Sequence, residues 1–283
     1  MFLSRYWNTI SKTIPDKLYL EWQFKHVYKR KLNIDFPATY ADKLAYLKTH
    51  DRNTQLAKLV DKYVVREYVK DKIGSEYLIP LIGVYNSVNK IPWNELPEKY
   101  VLKCTHDSGS IIFHNSNDDF DVVTACAILN KHMHRNLYWY SREYPYRDVP
   151  PRIVCEEMLQ DNGHIPFDYK FMCFSGEPKY IVYDQDRFGD HHRDIYDIDW
   201  VKQDISTDHY QSQCIADRPK CLEKMTSLAK TLSEGFKHVR IDFYCIDGQI
   251  YFGEITFFPW GGVIWFKPDE WNYIWGDLIK LDF

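Results

Sequence analysis

Arg240, Asp242, Glu254 and Thr256 stand in the run RIDFYCIDGQIYFGEITFF, residues 240–258. Around them the run is β-branched and aromatic, and Asp247-Gly248 at its middle is a strong hairpin signal. Two carboxylates and a guanidinium on otherwise apolar strands can hold a divalent cation, or can form an ion pair. Register decides whether they meet. With a strict two-residue turn, Asp242 lies opposite Gly253 and Glu254 points to the other face. A three-residue loop, with Gly248 left-handed and a bulge after it, shifts the parity by one. Arg240, Asp242, Phe252, Glu254 and Thr256 then share a face, with Ile241, Phe243, Cys245, Tyr251, Gly253 and Ile255 on the other. This register separates polar from apolar residues and is the one expected. It leaves two carboxylates within about 5 Å, a repulsion of roughly 3 kcal/mol at an effective dielectric of about 20. Arg240, a metal ion or both must offset it; a solvated edge hairpin with a surface ion pair is the plainer alternative.

Other segments carry groups suited to a polyphosphate. Lys103 ends an apolar strand just before CTHDSGS, residues 104–110. There a lysine meets backbone N–H groups and hydroxyls, although the loop is not a Walker A motif. VCEEMLQ (154–160) places Glu156 and Glu157 where a buried strand gives way to a polar loop, whose backbone could face a flat ring such as adenine. In FDYKF (167–171), Asp168 and Lys170 alternate onto one strand face. His132 with His134, and His191 with His192, lack a second ligand arm at zinc spacing and are expected to be structural or solvated. Neither a serine-hydrolase nor a protein-kinase signature occurs.

The elements that must position these groups read as mixed α+β with antiparallel strands. Residues 1–32 look helical, and LYLEWQFKHVYKRK (18–31) offers an amphipathic, basic surface for peripheral contact with anionic lipid or a partner. Helices are expected over 36–53 and 54–74, the second closed by Gly74. A strand at 78–87, a helical turn at PWNELP and a strand–loop–strand at 99–115 follow. Then come a helix over 118–136, a strand at 152–159 and two strands around Ser175-Gly176-Glu177. A polar loop and a helix over 217–235 lead to the hairpin. The Pro-punctuated stretch 138–151 marks a lobe boundary. The expected division is a helical region 1–79, a lobe 80–155 and a lobe 156–283.

Composition narrows the function. A net charge of -4 gives no reason to expect nucleic acid. Seven dispersed cysteines without a C-x-x-C pair point to free thiols, and no apolar run approaches the ~18 residues of a membrane span. The expected location is cytoplasmic.

Six stretches, taken in order, are similar to the ATP-grasp superfamily in its TupA-like, surface-polysaccharide branch. They are DKYVVREYV, YVLKCTHDSGS, YSREYPYRDVPPRIVCEEML, PFDYKFMCFSGEP, YDQDRFGDHHRDIYDIDW and RIDFYCIDGQIYFGEITFFPWGG. The resemblance implies two α+β lobes clamping ATP, with Mg²⁺. It places Lys62 and Lys103 at the ATP phosphates and residues 106–110, including Ser108, Gly109 and Ser110, in the flexible loop over them. Asp107 falls where glycine is common. Glu156, Glu157 and Leu159 match the adenine hinge, and Asp168 and Lys170 lie near the ribose and phosphates. Arg187 matches a substrate-side arginine. Asp242 and Glu254 match the magnesium carboxylates, and Arg240 the cation that steadies the transition state. Thr256 stands where the superfamily commonly has asparagine, which puts a second metal in doubt. The implied reaction joins a carboxylate, of a uronic acid or amino acid, to an amine through an acyl phosphate. A glycosyltransferase and a non-catalytic nucleotide-binding partner in polysaccharide assembly are the alternatives.

Overall fold

The computed structural model describes residues 11–115, 120–186 and 189–282. Residues 11–52 and 161–282 belong to one compact unit, and 53–115 with 120–160 to a second.

The second unit is built on a four-stranded antiparallel sheet, in the order β1-β4-β2-β3. The strands are β1 (Leu81–Tyr85), β2 (Lys99–Cys104), β3 (Ile112–Asn115) and β4 (Ile153–Glu157). Leu102, Cys104, Ile153 and Cys155 turn one face of the sheet inward against Ala125 and Leu129 of the helix Val122–Met133. Asp121 caps that helix, its carboxylate accepting from the amides of Val123 and Thr124 at 2.9 and 3.2 Å. The single helix expected over 54–74 is two helices, Leu56–Val60 and Val65–Ile73. Asp61 breaks it: one carboxylate oxygen accepts from the amides of Tyr63 and Val64 at 2.9 and 3.3 Å, and the other accepts from Arg152 at 2.5 Å. A local acceptor of this kind competes with the helix ladder. It puts Lys62 on the connecting turn. Gly74 follows the second helix at a φ of 116°. The expected helical turn at PWNELP is a hydrogen-bonded turn rather than helix.

The first unit holds a five-stranded antiparallel sheet in the order β7-β6-β5-β8-β9. Its strands are β5 (Asp168–Phe174), β6 (Glu177–Gln185), β7 (His192–Asp197), β8 (His238–Ile246) and β9 (Gln249–Thr256). Strand β7 lies where a polar loop was expected. A helix over Glu270–Leu278, also unforeseen, packs on the helix Tyr40–His50. Leu222, Met225, Leu228, Ala229 and Leu232 of the helix Leu222–Ser233 are buried, and that helix packs on β5, β6 and β8. Phe171, Ile241, Phe243, Phe252 and Ile255 are buried on the strands. Cys221 and Cys245 are joined in a disulfide, against the expectation of free thiols throughout.

Candidate active site

In an antiparallel ladder, residues directly opposite one another point to the same face. Arg193 of β7 pairs with Asp184 of β6, which pairs with Asp168 of β5. Two residues along β5, Lys170 pairs with Asp242 of β8, and Arg240 of β8 pairs with Thr256 of β9. One face of the sheet therefore carries charged or hydroxyl groups on all five strands.

The hairpin reaches this arrangement by another route than the expected one. Ile246 pairs with Gln249, so the turn is the strict two-residue Asp247-Gly248 pair, with φ of 49° and 83°. The parity shift lies inside the strand. Ile241 pairs with Ile255 and Phe243 with Phe252, so Gly253 and Glu254 together oppose Asp242. This is a β-bulge, and it returns Glu254 to the face of Asp242. Phe252 and Tyr251 exchange faces relative to the expectation: Phe252 pairs with Phe243, and Tyr251 with Tyr244. A side chain at position 253 would bring its Cβ to 3.1 Å from the Asp242 carbonyl oxygen and 3.2 Å from its Cβ. Glycine is what allows the bulge to sit flat against Asp242.

Arg240 binds these groups together. Its Nε donates to Asp242 Oδ1 at 2.7 Å and its Nη2 to Asp242 Oδ2 at 2.8 Å. The same Nη2 ion-pairs with Glu254 and lies 3.3 Å from the Thr256 hydroxyl. Burial works against the Arg240 charge, but Asp242 and Glu254 outweigh it and hold the guanidinium protonated above its usual range. Burial pushes the Asp242 carboxyl up to about 7; Arg240 opposes the rise and the Glu254 charge adds to it. The face carries four carboxylates, Asp168, Asp184, Asp242 and Glu254, against three cations, Lys170, Arg193 and Arg240.

The donors suit a hard cation. Two carboxylates and a hydroxyl converge on one nitrogen, and Mg²⁺ is usually held by one or two carboxylates together with substrate phosphates. Among the described residues, no three His, Cys, Asp or Glu side chains group as a metal site. Asp242, Glu254 and Thr256 are the oxygen donors that this face offers, and all three are engaged with Arg240.

Next to the hairpin, Lys170 ion-pairs with Asp184 and lies 3.9 Å from Asp168. Burial works against the Asp184 charge, yet Lys170 and Arg193 hold its carboxyl well below the usual range. His191 contributes Nε2 at 3.0 Å from Asp184, and its ring lies 3.8 Å from that of His209 at a tilt of 39°. Asp184 and Arg193 are residues that sequence reasoning missed. A charge at the end of YIVYD, on the face opposite to Ile181 and Tyr183, was the available signal. Arg187 lies outside the described residues.

In the other unit, Lys103 Nζ donates to Glu156 at 3.0 Å, and Arg66 donates to the same carboxylate at 3.1 Å. The β2–β4 pairing brings Lys103 and Glu156 together; Glu156 lies opposite Val101, two residues from Lys103. Arg66 was not foreseen as a partner. Lys62 Nζ donates to the carbonyl of Asp107 at 2.7 Å, which ties it to the loop carrying Ser108, Gly109 and Ser110. Ser110 is buried, its Oγ accepting from the Cys104 amide at 2.9 Å, whereas Ser108 and Gly109 are exposed. Glu157 donates its amide to the Pro80 carbonyl at 3.0 Å and is exposed; Leu159 lies beyond the strand end, half-buried.

A profile of the TupA-like ATPgrasp family matches residues 42–280. The chain belongs to that family. Its α+β architecture, with two antiparallel sheets, is the ATP-grasp fold. No curated protein matches the chain. Among solved structures, D-alanine–D-alanine ligase from Bacillus anthracis in complex with ATP is 13% identical, with 72% of this chain and 56% of that one covered at a TM-score of 0.41. An L-amino acid ligase from Bacillus licheniformis is 12% identical, over 79% and 52%, at 0.45. The ADP complex of an N5-carboxyaminoimidazole ribonucleotide synthetase is 12% identical, over 76% and 50%, at 0.46. The chain spans about half the length of these structures. Among the described residues of this TupA-like ATP-grasp protein, no helix is long and apolar enough to cross a membrane.

Proposed function

We propose that the protein is an ATP- and Mg²⁺-dependent carboxylate–amine ligase, acting in the cytoplasm on a uronic-acid or amino-acid component of a surface polysaccharide. The observation that carries the ligase reading is the hairpin face, where Asp242, Glu254 and Thr256 surround Arg240 in a chain of the ATP-grasp family. The polysaccharide substrate rests on the TupA-like branch alone.

Lys62, Lys103 and the loop tip Ser108-Gly109 are assigned to the phosphates of ATP, and the backbone of 156–159 to its base. Asp168 and Lys170 are assigned to the ribose and phosphate side. Asp242, Glu254 and Thr256 would hold Mg²⁺, which supplies charge neutralisation of the phosphates when bound. A substrate carboxylate oxygen, oriented by Arg187, attacks the γ-phosphorus; the bond to the β,γ-bridging oxygen breaks and ADP leaves. An amine then attacks the acyl carbon, phosphate departs with the C–O bonding pair, and the amine loses a proton. Negative charge shifts along the phosphoryl oxygens in the first step. Arg240 is a preformed cation fixed by bidentate contact, suited to stabilising that charge without reorganisation. The basic helix surface with exposed Leu18 and Trp22 is the place for peripheral contact with an anionic membrane carrying such a substrate.

The test is ADP release by purified protein with Mg·ATP against uronic acids and amino acids, singly and in carboxylate–amine pairs. Release that needs both partners and yields an amide supports the ligase. Nucleotide-sugar turnover without ADP would refute it.

A further inference from the structure

The segment between β2 and β3 is fastened at more points than a loop that merely closes over a ligand requires. Thr105, His106, Asp107 and Ser110 are buried, and only Ser108 and Gly109 face solvent. His106 lies with Nε2 3.2 Å from the His132 carbonyl and 3.1 Å from the Arg135 carbonyl, so Nε2–H satisfies acceptors at the end of the helix Val122–Met133. The Asp107 carboxylate, fully buried, accepts from His132 Nδ1–H through Oδ2, while Oδ1 makes no hydrogen bond and lies 3.8 Å from Arg135 Nε. Arg135 is itself seated over the Tyr140 ring at 4.7 Å. From the opposite side, Lys62 donates to the Asp107 carbonyl at 2.7 Å, and its amide donates to the Thr105 carbonyl at 3.2 Å.

We propose that Asp107 is a positioning residue: anchored by His132, with the Arg135 charge nearby, it holds residues 105–110 in a formed conformation before nucleotide arrives and presents Ser108-Gly109 to the phosphates. The proposal rests on the ATP reading above. Gly109, at a φ of 83° with no atom within 4 Å of where a Cβ would sit, leaves the tip open for close approach of an anion to the backbone. A segment already ordered does not lose its conformational freedom at binding, so the nucleotide meets the competent form at full population.

The decisive measurement is hydrogen exchange of the full chain without nucleotide, combined with calorimetry of Mg·ATP binding. Wild type should protect the buried amides of 105–107 and 110, but not those of the exposed tip Ser108-Gly109. Asp107→Gly, on the loop, and His132→Ala, on the helix, should each lose that protection while peptides covering 153–157 keep theirs. If either variant is competent only about one-tenth of the time, its apparent Kd for ATP rises about tenfold. Saturating Mg·ATP should restore protection. Asp107→Asn keeps an oxygen to accept from His132 Nδ1–H and should retain most of both. Using two elements keeps the test valid should one variant fail to fold. Lost protection with unchanged ATP affinity would overturn the proposal and leave the ATP reading standing. Protected wild type that binds no ATP would overturn both.

Discussion

Gly253→Ala and Gly248→Ala, compared side by side, separate the stability of the hairpin from the geometry of its charged face. At position 248 a new Cβ meets nothing within 4 Å, but φ is 83°, where an L-residue is strained. The cost is roughly 1–2 kcal/mol and is local to the turn. At position 253 a new Cβ lies 3.1 Å from the Asp242 carbonyl oxygen and 3.2 Å from its Cβ, so the bulge or Asp242 must give by a few tenths of an ångström. Overpacking of this kind costs about 1–3 kcal/mol. Both variants should therefore melt a few degrees lower, at about 2–4 °C per kcal/mol for a unit of this size. Only Gly253→Ala should move Asp242 relative to Glu254. Disturbing the support of a metal ligand typically lowers metal affinity about 10–100-fold, so the Mg²⁺ concentration needed for ATP binding should rise by about that factor in Gly253→Ala alone. Thermal unfolding and calorimetric ATP titrations at several Mg²⁺ concentrations read the two effects separately. Equal Mg²⁺ dependence in the two variants would refute the claim that the bulge sets the site.

Three further outcomes follow from the same geometry. Lys62→Ala and Lys103→Ala should each weaken Mg·ATP binding measured by calorimetry, because each removes a charge assigned to phosphate; unchanged affinity in both would return these lysines to purely structural contacts with Asp107 and Glu156. Arg240→Ala should lower turnover on the order of 10²–10³-fold, about 3–4 kcal/mol, with little change in ATP affinity, whereas Asp242→Asn and Glu254→Gln should raise the Mg²⁺ requirement; an Arg240 variant that loses only affinity would contradict its role. His238 donates from Nδ1 to the Cys173 carbonyl at 2.9 Å and accepts the Tyr40 hydroxyl at 2.8 Å, and burial lowers its pKa from 6.5 to about 4. The unfolded ring takes up a proton first, so this contribution is complete above about pH 6.5 and is lost as the pH falls toward 4. By pH 4.5 the loss is on the order of 2–3 kcal/mol; denaturant midpoints at pH 7.5 and 4.5 should fall less in His238→Gln, and an equal fall would exclude His238 as the source.

The hairpin shows how far sequence could be read and why it then failed. The chemical demand that Arg240, Asp242, Glu254 and Thr256 share a face is legible, because isolated charges on buried strands must meet partners. Asp-Gly is likewise a strong signal for a two-residue turn. These two rules conflict in parity; a longer turn would reconcile them locally, whereas the chain does so with a bulge five residues beyond Gly248. Gly253 carries the signal, since a glycine inside a strand marks a bulge or a close backbone approach. Here it marks both. Strand β7 was lost for the opposite reason: Arg193 and Asp194 made HRDIYD resemble a loop, and their charges make sense only beside Asp184, Lys202 and Gln185. The Lys103–Glu156–Arg66 cluster depends on β4 inserting between β1 and β2, a pairing no local pattern announces. What sequence carries well is therefore the set of groups that must be neutralised. What it carries poorly is which distant strand does the neutralising, and in this chain the buried charges around Asp184 and Glu156 are stable only through partners that arrive from elsewhere in the fold.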